Sequence, residues 1–200
     1  MMTQRPVDRL ILKLAIPTII SMTITAMYNL ADSYFIGHLS TQATAGVGIA
    51  FAYQSFIQAI GFFFGSGSGN YISRALGAKK EQNAEKMAST GFFSALLAGI
   101  AIGLAGLIFI KPLATLLGAT PDIESYAIDY LKYLLIAAPF MISQMVLNNQ
   151  LRLQGNASQA MIGLVSGAII NIILDPVFIY TLELGVSGAA IATLVSQIIS

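Results

Sequence analysis

The sequence predicts an all-α, multi-pass membrane protein, and three observations carry the prediction. Apolar residues make up 56% of the 200-residue chain and charged residues 10%, where a soluble domain carries about 25% charged residues. The mean hydropathy is +0.77. Most of the charges fall between six long uncharged runs. Apolar residues surround these runs on every side instead of forming one stripe, which marks burial or lipid contact. Strands of a membrane barrel are excluded, because they would alternate in period two over about ten residues. A net charge of +1 offers no basic face, so no nucleic-acid partner is expected. The absence of cysteine removes disulfides, thiolate metal sites and Cys nucleophiles together.

Each run is long enough, or nearly so, for the roughly 20 apolar residues that a helix needs to cross the hydrocarbon core. The first, 10–36, follows a short basic stretch with no small-residue cleavage site, so it reads as a retained span. Lys13 stands at its start and Asp32 near its end. The second, 45–72, lies in a stretch whose only ionisable residue is His38. The third is 87–110. The fourth, 123–151, carries Asp129 and Lys132 in its first turns, read as an interfacial ring. The fifth, 157–180, is broken at Asp175-Pro176. The sixth begins near 186 and is still apolar at Ser200, so the chain is expected to stop inside or just after an incomplete helix, 186–200. The connections are short, with no linker, low-complexity tract or repeat, and residues 1–200 read as one six-helix unit.

Direction follows from Lys and Arg near the span ends, which favour the cytoplasm. The N-terminal segment holds Arg5, Arg9 and Lys13, the second connection Arg74, Lys79, Lys80 and Lys86, and the fourth Arg152, while the other face has only Lys111. The N-terminus and the even connections are therefore expected to be cytoplasmic.

An ionisable residue at membrane depth costs about 2.5–3.5 kcal/mol on insertion scales and is a functional hypothesis by default. Asp32 lies five residues before Gly37, and Asp175 six before Thr181. At about 1.5 Å per residue both carboxylates sit roughly 8 Å inside the same boundary. They can share one cavity. Asn171, four residues before Asp175, falls on the same helical face. The plainer readings are an interfacial acid for Asp32 and a capping residue at a kink for Asp175, since Pro176 frees a backbone carbonyl. A kink and an ion site are compatible, because broken helices line binding cavities in transporters. Pro17 interrupts the first helix and marks a hinge or a passive kink. The Gly-Ser run at 65–69 lacks the Lys-Ser/Thr ending of a phosphate loop and reads as close helix packing through small residues. Met and aromatic residues including Tyr28, Phe51, Tyr53, Phe56, Tyr130, Phe140, Met141 and Met145 are candidates to line an adaptable pocket, although such residues more often pack or face lipid. The lone His38 lacks metal-ligating neighbours and reads as solvated. With no nucleophile–base set, paired Glu or metal-spaced cluster, neither an enzyme nor a cofactor is expected.

These residues carry a resemblance. Ala15-Ile16-Pro17 and Tyr28-Asn29-Leu30-Ala31-Asp32-Ser33-Tyr34-Phe35-Ile36-Gly37 resemble helix one of the multidrug and toxic compound extrusion (MATE) transporters, in the branch related to the DNA-damage-inducible bacterial members. Tyr71-Ile72-Ser73-Arg74-Ala75-Leu76-Gly77 is similar to that family's end of helix two, and Asn171-Ile172-Ile173-Leu174-Asp175-Pro176 to its helix-five motif. The resemblance implies an antiporter of twelve helices in two six-helix lobes, of which this chain matches the amino-terminal one. It implies a bacterial plasma membrane, export of small-molecule drugs or toxic organic cations, and coupling to H+ or Na+ with no other cofactor. The lipid bilayer and a carboxy-terminal lobe would be the partners. The cation site would fall on Asp32, Asn171 and Asp175, with Thr193 on the sixth helix a further oxygen ligand and Tyr130 on the fourth a neighbour. Pro17 matches the proline at which helix one bends. Two other classes compete: a lipid-linked glycan flippase of related fold, whose cavity would be richer in Arg and Lys, and a channel or non-transporting membrane scaffold.

Overall fold

The computed structural model describes residues 7–200, with side chains from Ile11 onward except Lys13. The side chains of Arg5, Arg9 and Lys13, on which the expected cytoplasmic N-terminus partly rests, lie outside the described residues. Among those described, every element is helical: α1 Val7–Gly37, α2 Thr41–Gly77, α3 Glu81–Ile108, the short α4 Ile110–Leu116, α5 Glu124–Leu153, α6 Ala157–Pro176 and α7 Gly185–Ile199. A π turn, Val177–Thr181, continues α6. Five helices are long and apolar enough to cross a membrane, and Gly185–Ile199 is a shorter apolar helix. The all-helical, multi-pass architecture is the one the hydropathy pattern predicts.

The helix ends extend past the apolar runs for local reasons. Ser40 caps α2, its Oγ accepting from the Ala43 N–H at 3.0 Å, so the helix begins at Thr41 rather than at 45. It ends at Gly77, beyond the expected 72. Lys79 at φ 57° turns the chain so tightly that its neighbour Lys80 donates to the Ala75 carbonyl at 2.9 Å, and α3 restarts at Glu81 rather than 87. The stretch read as a connection from Lys111 to Asp122 contains α4, set off from α3 by a break at Phe109. Gly118 at φ 105° and Gly155 at φ 89° supply the left-handed conformations that terminate α4 and α5, which residues with a Cβ adopt only under strain. Apolar runs report the hydrocarbon-spanning part of a helix, while caps decide where it stops.

The fourth span, α5, is the core of the fold. It packs against α2, α3, α4, α6 and α7, and 56% of its apolar span is buried inside the protein, against 11% for α1. Glycines let its neighbours come close. A Cβ on Gly46, Gly61 or Gly65 of α2 would lie 2.8, 2.7 and 2.9 Å from Tyr126, Met145 and Asn149, and one on Gly99 of α3 would lie 2.5 Å from the Pro139 Cα. The Gly-Ser run at 65–69 is an ordinary part of α2. Gly65 and Gly69 face α5, and buried Ser68 accepts from Gln150 Nε2 at 3.0 Å. The same amide reaches the Ala88 carbonyl of α3 at 3.3 Å, tying three helices at one point.

Candidate functional site

The architecture brings five of the named residues to one place. Asp32 on α1, Tyr130 on α5, Asn171 and Asp175 on α6 and Thr193 on α7 are all buried, with Asp175 at 0% exposure and Asp32 at 2%. Tyr130 Oη donates to Asp32 Oδ2 at 3.4 Å. Asn171 Nδ2 donates to Asp175 Oδ1 at 3.3 Å and lies 3.5 Å from Thr193 Oγ1. The one-turn spacing of Asn171 and Asp175 therefore does produce a contact.

Pro176 explains the local shape. It has no N–H to give the carbonyl one turn back, and α6 widens directly after it into the π turn, closed by Leu182 N–H donating to the Val177 carbonyl at 2.9 Å. Tyr180, in that turn, donates its hydroxyl to the Phe35 carbonyl of α1 at 2.8 Å. Phe35 follows Asp32 by three residues and Tyr180 follows Asp175 by five, so this bond fastens the two acid-bearing helices to each other just beyond the acids.

The polar groups of the cluster are not balanced. Asp32 Oδ1, Asp175 Oδ2 and Asn171 Oδ1 are buried with no hydrogen-bond partner. All three are acceptors, and a buried polar group without a partner costs about 1–3 kcal/mol, more if charged. Among the described residues there is no group of three or more His, Asp or Glu side chains that would hold a tightly ligated metal. The site is instead two carboxylates with neutral oxygens, a donor set of hard oxygen atoms.

Below the cluster opens a cavity of about 330 Å³ between α1, α2, α5, α6 and α7. Asn171 lines it and bonds to Asp175. Its walls mix Met22, Met141, Met145 and Phe62 with amides such as Gln54, Gln58, Gln144 and Asn148, and Arg152 also lines it. Tyr28, a pocket candidate in the sequence but not a candidate for the acid cluster, stands one turn before Asp32 on the same helix, and Gln54, which the sequence reading leaves unassigned, lines the same cavity from α2. The i, i+4 spacing from Asp32 was the available signal for Tyr28. Nothing local marks Gln54 beyond its being a lone amide in an apolar stretch. Of the pocket-lining candidates, Tyr28, Met141 and Met145 line this cavity, while Tyr53 is buried in the core and Phe51 packs against it.

The remaining sequence candidates lie elsewhere. Pro17 is buried within a continuous α1, where Ser21 Oγ donates to its carbonyl at 2.8 Å. Asp129 and Lys132 are exposed on α5, with the Lys132 ammonium 5.8 Å from the Tyr133 ring centre. His38 is exposed, its Nδ1 2.8 Å from the Tyr34 carbonyl.

Comparison with known proteins places this arrangement. The MatE family pattern matches residues 17–177. The multidrug export protein MepA of Staphylococcus haemolyticus is 35% identical over 187 residues, 93% of this chain and 41% of that protein. MepA of Staphylococcus aureus is 30% identical over 194 residues, 96% of this chain and 43% of that protein. Among solved structures, the outward-facing conformation of a multidrug resistance MATE family transporter of the MOP superfamily superposes with a TM-score of 0.89 at 36% identity, covering 94% of this chain and 42% of that one. The chain thus spans less than half the length of the relatives it matches.

Proposed function

This chain belongs to the MatE family, and from that premise we propose that it forms the amino-terminal six-helix lobe of a cation-coupled multidrug efflux antiporter of the bacterial plasma membrane. The observation that supports this reading is the set of three partnerless buried oxygens on Asp32, Asn171 and Asp175, contributed by two helices that the rest of the lobe brings together. Two buried carboxylates repel when both are ionised, and burial without a counter-charge is unfavourable. A proton on either acid, or a sodium ion shared with Asn171 and Thr193, relieves both costs. Cation arrival and departure then switch the net charge of the cluster, which is the coupling element.

The N-terminus is cytoplasmic in this reading, so the acids lie near the outer face and the cavity runs inward from them. The Met, Phe and amide lining suits amphipathic compounds that bury apolar surface and accept a few hydrogen bonds. Helix α1 is the mobile part, being the span with the least of its surface held by other helices, and Pro17 is its hinge. Cation binding at Asp32 acts on the far end of that same helix. A second lobe completes the transport path.

The test is dye efflux by the full-length transporter in proteoliposomes, with proton and sodium gradients imposed separately. Asp32→Asn and Asp175→Asn should each abolish gradient-driven efflux of an ethidium-type dye while leaving the protein folded and inserted. Asp129→Asn, at an exposed position, should cost far less. If both buried-acid variants pump at near wild-type rates with unchanged ion dependence, the acids are structural and the assignment is wrong.

A further inference from the structure

We propose that Arg152 is an electrostatic stop, which keeps a cation that has reached the acid cluster from running on through the lobe. The inference rests on the reading of that cluster as the coupling-cation site. Arg152 is the one charged side chain among the described residues that line the cavity, whose remaining polar lining is neutral amide and hydroxyl. It is half-buried there, and Asn171 carries the cavity on to Asp175. From Tyr130 beside Asp32, α5 continues for twenty-two residues to Arg152, roughly 33 Å of helix at about 1.5 Å per residue. The lobe therefore has carboxylates at one end of its polar interior and a guanidinium at the other.

That polarity has a chemical consequence. Amide oxygens and the water a polar cavity holds are the groups that pass a sodium ion or a proton along. An unobstructed cavity of this lining would dissipate the gradient without moving any drug. A guanidinium is not deprotonated in proteins, and a fixed positive group in a narrow path excludes protons and cations. Arg152 stands in the last turn of α5, which complements the helix dipole. That effect needs only a cation near the helix end and does not require the side chain to line the cavity.

The test measures drug-free dissipation of imposed proton and sodium gradients by the full-length transporter in proteoliposomes, using an entrapped pH-sensitive dye and radioactive sodium uptake. A unit charge close to the path in a partly buried site is expected to change the leak on the order of tenfold. Arg152→Gln should therefore leak about that much faster, and Arg152→Lys should stay near the wild-type rate. Gln144→Glu keeps Arg152 but sets an opposing carboxylate in the same wall, and it too should leak faster. Should Arg152→Gln fail to insert, Gln144→Glu decides alone. Wild-type leak rates in the inserted variants, with gradient-driven efflux intact in the wild type, overturn the proposal. A wild type that shows no gradient-driven efflux overturns instead the reading of the cation site.

Discussion

A methyl group at Gly99 should destabilise the protein, whereas the same methyl at Gly48 should stabilise it. Both glycines are interior to helices, so each replacement by Ala gains about 0.8–1 kcal/mol of helix propensity. At Gly48 nothing lies within 4 Å of the new Cβ, but at Gly99 it would sit 2.5 Å from the Cα of Pro139 and 3.1 Å from its nitrogen. Comfortable carbon–carbon contact is about 3.5–4.0 Å, so α3 and α5 must part by roughly 1 Å. The atoms in the way belong to backbone and ring and cannot swing aside. Overpacking of this kind costs about 1–3 kcal/mol, which leaves Gly99→Ala a net loss of up to about 2 kcal/mol. At about 2–4 °C per kcal/mol for 150–250 residues, and less for a longer chain, the melting temperature should fall by up to about 8 °C for Gly99→Ala and rise by no more than about 4 °C for Gly48→Ala. Far-UV circular dichroism of the detergent-purified full-length protein during heating reads both. Equal shifts of the same sign in the two variants would refute the packing argument.

The chain contains no cysteine, so single Cys substitutions report topology directly: Cys at Thr41, Ala119 or Leu182 should label with an impermeant reagent from outside the cell and Cys at Gln82 or Asn156 should not, the reverse pattern inverting the proposed orientation. Tyr180→Phe removes the bond to the Phe35 carbonyl, worth about 1 kcal/mol net; hydrogen exchange at the Gly37 end of α1 should quicken about fivefold, and unchanged exchange would mean that the tie holds nothing. A protein limited to residues 1–200 should show no gradient-driven dye efflux as a demonstrated monomer, and robust efflux would remove the need for a second lobe.

What could be read from the sequence divides along physical lines. Spans were legible because a helix has a fixed rise and the bilayer a fixed thickness, and counting residues back from the helix ends is what put Asp32 and Asp175 at one level as an expectation. Asn171 was legible because its relation to Asp175 is local. Thr193 entered only through resemblance, and Tyr130 did so as a neighbour of the acids, having otherwise been one aromatic pocket candidate among several. Each is a neutral residue in an apolar helix, and what makes it part of the site is the packing of α5 and α7 against α1 and α6. The same holds for Gln54, which lines the cavity with Tyr28. The helix ends were misjudged by a few residues, and α4 went unseen, because hydropathy does not register the Ser40 cap or the Phe109 break.

The amides near the Leu153 end of α5 bear on how the protein is made. Asn148, Asn149 and Gln150 are consecutive and all buried, a poor sequence to release into lipid as a lone helix. When the ribosome delivers this segment, α2 and α3 have already been synthesised. Ser68 and the Ala88 carbonyl, the acceptors of Gln150, are therefore present to receive it, whereas Asn148 must wait for the Ala160 carbonyl of α6. The early helices would then act as an assembled berth for the polar one, with α5 expected to leave the translocon by docking onto them instead of partitioning alone. Transplanted behind unrelated spans, α5 should insert inefficiently even though its length suffices to cross.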